Sequence, residues 1–170
     1  VSREQGRVVV GVSGSVAGVC ALRRAVREAG RDHRQVLAVL CWEPPEGDRL
    51  YRARPCPELA ALWQRQATDR WQAAFVDAFG GVPTEVPVER MVVRTDSPGH
   101  VLCTLADDPD DLLVVGTSHR NRPWDVLRPQ RVLRHLLRNA RCPVLPVSAP
   151  QMPKGALGAL RRAAPADFAR

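Results

Sequence analysis

The sequence predicts one doubly wound α/β domain built on a five-stranded parallel sheet, with helices on both faces. Three observations predict it. Short, continuous apolar runs alternate with segments of helical period along the whole chain. No hairpin signal joins any two runs, so successive strands must be parallel and their crossovers right-handed. The 170 residues suffice for one full core and are too few for two comfortable domains.

Residues 7–13 (RVVVGVS) form the first run, of the kind covered on both faces. Ser13, Gly14 and Ser15 break it. Residues 16–29 then repeat Val19, Leu22 and Val26 at helical spacing, with Arg23, Arg24 and Arg27 on the wet side. Residues 36–42 (VLAVLCW) are a second buried strand, and residues 43–56 read as a loop rich in Pro and Arg. Pro57 opens a long helix whose apolar rhythm includes Leu59, Leu62, Trp63, Trp71 and Phe75 and which stops at Gly80-Gly81. Trp63, Trp71 and Phe75 share one face, which favours core packing over a ligand box.

Residues 86–93 supply a third strand, and Ser97-Pro98 cap a short helix reaching about Ala106. Residues 111–117 (DLLVVGT) are the fourth strand. A loop of about a dozen residues leads to a helix over 130–140, with Val132, Leu133, Leu136 and Leu137 turned inward. Residues 142–148 (CPVLPVS) close the sheet. The domain therefore spans 6–148, and residues 149–170, dominated by Pro, Gly, Ala and Arg, read as a disordered tail.

Composition narrows the function classes. The net charge is +7, and of 25 basic residues only Lys154 is lysine. No apolar run is long enough for a membrane span. Arg3 and Arg7 before VVVGVSGSVAGVCAL imitate a secretion signal, but Val19 stands before Cys20 where a lipoprotein site needs a small residue, and the segment reads as strand-turn-helix. Five cysteines without CxxC spacing, four of them in apolar periodic segments, argue for buried thiols in a reducing cytoplasm rather than disulfides or zinc.

In a doubly wound sheet with the first and fourth strands as neighbours, the loops after them meet at the carboxyl edge, where such sheets bind ligands. RVVVGVSGSVAGVCALRRAVREA, TDSPGHVLCTLADDPDDLLVVG and GTSHRNRPWDVLRPQRVLRHLLRNARCPVLPV together resemble the universal stress protein family over roughly residues 6–148. The resemblance implies the fold derived above with strand order 3-2-1-4-5, a stress-response or regulatory role and, in many members, ATP held by a loop of the form G-x2-G-x9-G-[ST]. In such a loop glycines let backbone N–H groups approach phosphates, and a helix N-terminus faces the charge. Laid on this chain, the four positions fall on Gly116, His119, Pro129 and Gln130, and the family's aspartate at the end of the first strand falls on Ser13. One position of four survives. The expectation is therefore a binding module with no enzymatic activity, no cofactor and no ATP bound in the family manner.

The ligand cleft expected from the resemblance would comprise Val12, Ser13, Cys41, Val115, Gly116, Ser118, His119, Pro129, Gln130 and Arg131. Two alternatives stand beside it. Arg120, Arg122, Arg128, Arg131, Arg134, Arg138 and Arg141 cluster around a single acid, Asp125. They would suit a nucleotide, nucleic acid or other polyanion, or be the solvated face of a helix. Ser13 and His119 could also meet as a hydrolytic pair, although Gly11–Ser15 fails G-x-S-x-G and no orienting carboxylate is indicated. His33, His100 and His135 read as surface residues. A homodimer of the family type would pair through the last strand, where Pro146 weakens edge association.

Overall fold

The computed structural model describes residues 6–117 and 127–150, the stretch 127–130 through its backbone alone. Its elements run β1(Val8–Gly11), α1(Val16–Arg31), β2(Val36–Trp42), α2(Asp48–Ala53), α3(Pro57–Phe79), β3(Val88–Arg94), α4(Pro98–Leu105), β4(Leu112–Thr117), α5(Leu127–Asn139) and β5(Val144–Ser148). The five strands form one sheet in the order β3-β2-β1-β4-β5, and every pairing is parallel, as the alternation of runs requires. Residues 118–126 and 151–170, which include most of the expected tail, lie outside the described residues.

Side-chain alternation divides the core into two layers. Val8 and Val10 of β1, with Val114 of β4, face α1 and α3, where they meet Leu22, Trp71 and Phe75. Val9, Leu37, Leu113 and Val115 face the other way, toward Leu102 of α4 and Leu136 of α5. Burying each such side chain contributes roughly 1.5–3 kcal/mol before the entropy of ordering it is subtracted. Trp71 is a core residue in full: it stacks on Phe75 at 4.2 Å, and its indole N–H donates to the Ala38 carbonyl at 3.0 Å.

The structure corrects several expectations. The segment 43–56 is not all loop, because it contains α2. Six residues are too few for periodicity to reveal a helix, and tertiary contacts hold it instead. Tyr51 is buried edge-on against Trp63, with ring centroids 5.9 Å apart. Buried Asp48 pairs with Arg52 at 2.6 Å and with Arg94 at 3.4 Å, and Arg94 lies over the Tyr51 ring. Leu59 and Leu62, at the start of α3, are exposed rather than part of its apolar face. Leu137 is also exposed, at 63%, rather than inward. Ser97 gives α4 no side-chain cap.

Of the cysteines only Cys142 is buried; all five are free thiols, the other four half-buried. His135 is not a free surface residue, for it lies over Gly99 on α4, where a Cβ would come within 3.0 Å of its side chain. Helix α5 begins at Leu127, three residues earlier than its period suggested, so Pro129 and Gln130 belong to its first turn.

At the sheet edge the Leu113 N–H donates to the Pro143 carbonyl at 3.0 Å, in register with Leu113 opposite Val144. Backbone groups alternate along a strand, so the Pro146 nitrogen points to the open side, where no N–H is needed by β4. No helix of the described residues is long and apolar enough to cross a membrane.

Candidate functional site

The site grows from the point where the sheet reverses direction. β2 and β4 flank β1, and their crossovers leave toward opposite faces, which opens a crevice beyond the strand ends. A cleft of about 370 Å³ occupies that crevice. Its floor is Val12 and Ser13 after β1 with Val115 and Gly116 of β4; its walls are Cys41 of β2 and Leu102 of α4. Val132 and Leu133 of α5 close one side.

Helix α1 starts at this floor. Ser15 is its N-cap, with extended backbone, and its hydroxyl accepts the Gly18 N–H at 3.0 Å. The Ser13 and Ser15 hydroxyls lie 3.0 Å apart. The Ser13 hydroxyl is therefore tied into the cap, and among the described residues neither an imidazole nor a carboxylate bonds to it. His119, its proposed partner, lies outside the described residues.

Gly116 has a packing reason to be glycine. A Cβ there would sit 2.6 Å from the Ala17 carbonyl and 2.8 Å from the Gly18 nitrogen. The end of β4 and the first turn of α1 touch backbone to backbone, so no side chain fits between them. That contact holds whether or not a phosphate ever approaches.

Cys41 lines the same cleft, and burial pushes its thiol up from 9.0 to about 11. It is protonated near neutral pH and behaves as a small apolar wall, not as a nucleophile. With Val39, Val115 and Leu102 it makes the cleft predominantly apolar.

A second cleft of about 700 Å³ adjoins the first, sharing Cys41, Pro98 and Val132. Arg131 and Arg70 line it, together with Glu43, Glu46 and Asp96. Its described walls therefore carry more carboxylates than guanidinium groups. Arg131, expected in the ligand cleft, faces this neighbouring one.

Of the other expected cleft residues, the structure brings Val12, Ser13, Cys41, Val115 and Gly116 together. Ser118 lies outside the described residues, as do Arg120 and Arg122 of the basic cluster. Pro129 and Gln130 are placed by backbone only, in the first turn of α5. The first four N–H groups of a helix have no partner within it, so Pro129 costs α5 nothing, yet it removes one amide that an anion could have used. Gly11, Ser15, Val39, Pro98, Leu102, Val132 and Leu133 were missed. Val39 could have been found, since it is two residues from Cys41 on the same face of β2. The α4 and α5 residues could not, because only helix docking brings them to the sheet edge. No group of His, Cys, Asp and Glu suited to a metal occurs among the described residues.

Among solved structures, universal stress protein UspA from Lactobacillus plantarum is 18% identical, with a TM-score of 0.59 over 85% of this chain and 99% of that one. A universal stress protein from Archaeoglobus fulgidus is also 18% identical, with a TM-score of 0.56 over 84% and 98%. A third, a universal stress protein solved in complex with cAMP, is 24% identical with a TM-score of 0.48 over 86% and 98%. No curated protein matches the chain significantly. The model of the universal stress protein family matches residues 5–148, the stretch that makes the sheet, both helix layers and the cleft, and the chain accordingly belongs to the universal stress protein family.

Proposed function

We propose that this chain is a stress-response regulatory binding module that does not hold ATP in the manner of the G-x2-G-x9-G-[ST] loop and catalyses no reaction. One observation carries the reading: α5 begins at Leu127 and takes Pro129 into its first turn. The backbone amide that a glycine would offer to a phosphate is missing at that position. His119 and Gln130 replace the second glycine and the hydroxyl. The surviving Gly116 is accounted for by its contact with α1. Ser13 engaged in the helix cap and Cys41 held protonated leave the described cleft without an activated nucleophile. Free cysteines suit a cytoplasmic setting.

Thermal unfolding with magnesium and ATP tests this reading. A ligand at a hundredfold excess over its dissociation constant stabilises by about 2.7 kcal/mol, which raises the midpoint of a domain this size by about 5 °C or more. The expected shift for the natural chain at millimolar ATP is under about 1 °C. A gain of shift is expected in the triple variant His119→Gly, Pro129→Gly, Gln130→Ser. A saturable shift of several degrees in the natural chain would defeat the reading.

A second reading has one observation in its favour: Arg70 and Arg131 both line the larger cleft and could grip an anion with side chains. Glu43, Glu46 and Asp96 on the same walls oppose it. It requires stabilisation by inorganic triphosphate that disappears in Arg131→Gln, and equal insensitivity of both proteins would remove it.

A further inference from the structure

We infer that the outer face of α5 is a docking surface for an acidic, amphipathic helix of a partner protein. The inner face of α5 is spent on the core: Leu136 is fully buried, and Val132 and Leu133 pack on the α4 side of the sheet. The outer face does not follow the usual division. Leu137 stands 63% exposed between Arg134 and Arg138, and a shallow groove of about 400 Å³ is lined by Leu133, Arg134, Leu137 and Arg138.

Helical spacing orders these residues into two rows. Leu133 and Leu137, four apart, make an apolar ridge, while Arg134 and Arg138 make a cationic one beside it. Exposed Arg141 lies beyond them, just past the end of the helix. Among the described residues none of Arg134, Arg138 and Arg141 makes an ion pair.

The sign of the charge selects the occupant. The chain's own residues 151–170 carry Lys154, Arg161, Arg162 and Arg170 against the single acid Asp167. That segment would be repelled by the ridge. A nucleic acid would meet the arginines chiefly through its phosphates and offers no apolar row at helical spacing to match Leu133 and Leu137. A partner helix with leucines at spacings of three and four, flanked by Glu or Asp, satisfies both rows at once. Strand addition at the neighbouring edge is a poor substitute, since Pro146 offers no N–H to an incoming strand. The inference concerns a face other than the cleft, although Leu133 borders both, and it does not depend on what the cleft takes.

The test uses the full chain and a fluorescent, roughly 16-residue peptide of Glu, Ala and Leu with the leucines on one helical face. A permuted peptide of identical composition and a single-stranded DNA oligonucleotide serve as rivals at physiological salt. Saturable anisotropy is expected with the patterned peptide, at least about tenfold weaker binding with the permuted one, and a similar loss in Leu137→Ser and in Arg138→Glu. Both variants change exposed positions, and unchanged circular dichroism and unfolding midpoints would show that they remain folded. Absence of binding by the patterned peptide overturns the inference. So does equal binding of the permuted peptide or DNA with no effect of Leu137→Ser, which would leave charge alone. Sedimentation showing a concentration-dependent dimer that Leu137→Ser abolishes would assign the face to a second copy and overturn it too.

Discussion

Two helices begin at the carboxyl edge of this sheet on either side of the cleft, and they have been built in opposite ways. Helix α1 has an ordinary, well-made start: Ser15 caps it, Ser13 lies within hydrogen-bond distance of the cap, and Gly116 lets β4 approach its first turn. Helix α5 takes Pro129 into its first turn. The comparison separates two reasons for a residue to be present. What the fold needs for packing is in place around α1; what a phosphate would need from α5 has been replaced. A glycine kept by packing is therefore poor testimony for a ligand, even when it coincides with a binding motif.

The contrast can be broken or sharpened by substitutions at the two starts. The largest effect is expected from Gly116→Ala. Its new Cβ would strike the backbone of Ala17 and Gly18, which cannot move as a side-chain tip can, so urea denaturation should show a loss of about 3 kcal/mol. A loss below about 1 kcal/mol would mean that β4 and α1 separate easily, and that Gly116 is glycine for another reason.

Ser15→Ala comes next, at about 1 kcal/mol, the usual value of an N-cap hydroxyl. Hydrogen exchange at the Gly18 amide should accelerate in the same variant. An unchanged rate would show that the cap bond contributes nothing. The smallest effect is expected from Pro129→Ala, a loss of about 0.5 kcal/mol, arising from a freer unfolded chain rather than from a broken contact. A gain in stability there would mean that the proline is strained in the first turn of α5, and would weaken the contrast between the helices.

The strength of the sheet prediction came from continuous apolar runs such as VLAVLCW, which can be satisfied only between two helical layers. Helix α3 ended where Gly80 promised, with that residue in the left-handed conformation. The candidate site was half legible for the same reason. Ser13, Cys41 and Gly116 sit at strand ends, and strand ends are easy to find once strand order is known. The α4 and α5 walls were not legible, nor was the burial that makes Cys41 inert, because both arise from helices docking across the sheet.

The strand order, the place of the crevice and the departure from the glycine-rich loop were implied by the resemblance of the chain's motifs to the family; the sequence by itself determined the alternation of elements and the parallel sheet. These follow from local period, turn chemistry and the handedness of crossovers, which need no partner elsewhere in the chain. Only the tertiary structure decided that α2 exists, that Leu137 stands in water while Leu136 is buried, and that Gly116 is required by the backbone of α1. Each depends on which surface another element happens to cover. A helical period specifies a buried stripe only to within its own width, whereas packing fixes which residue at its margin is left in water.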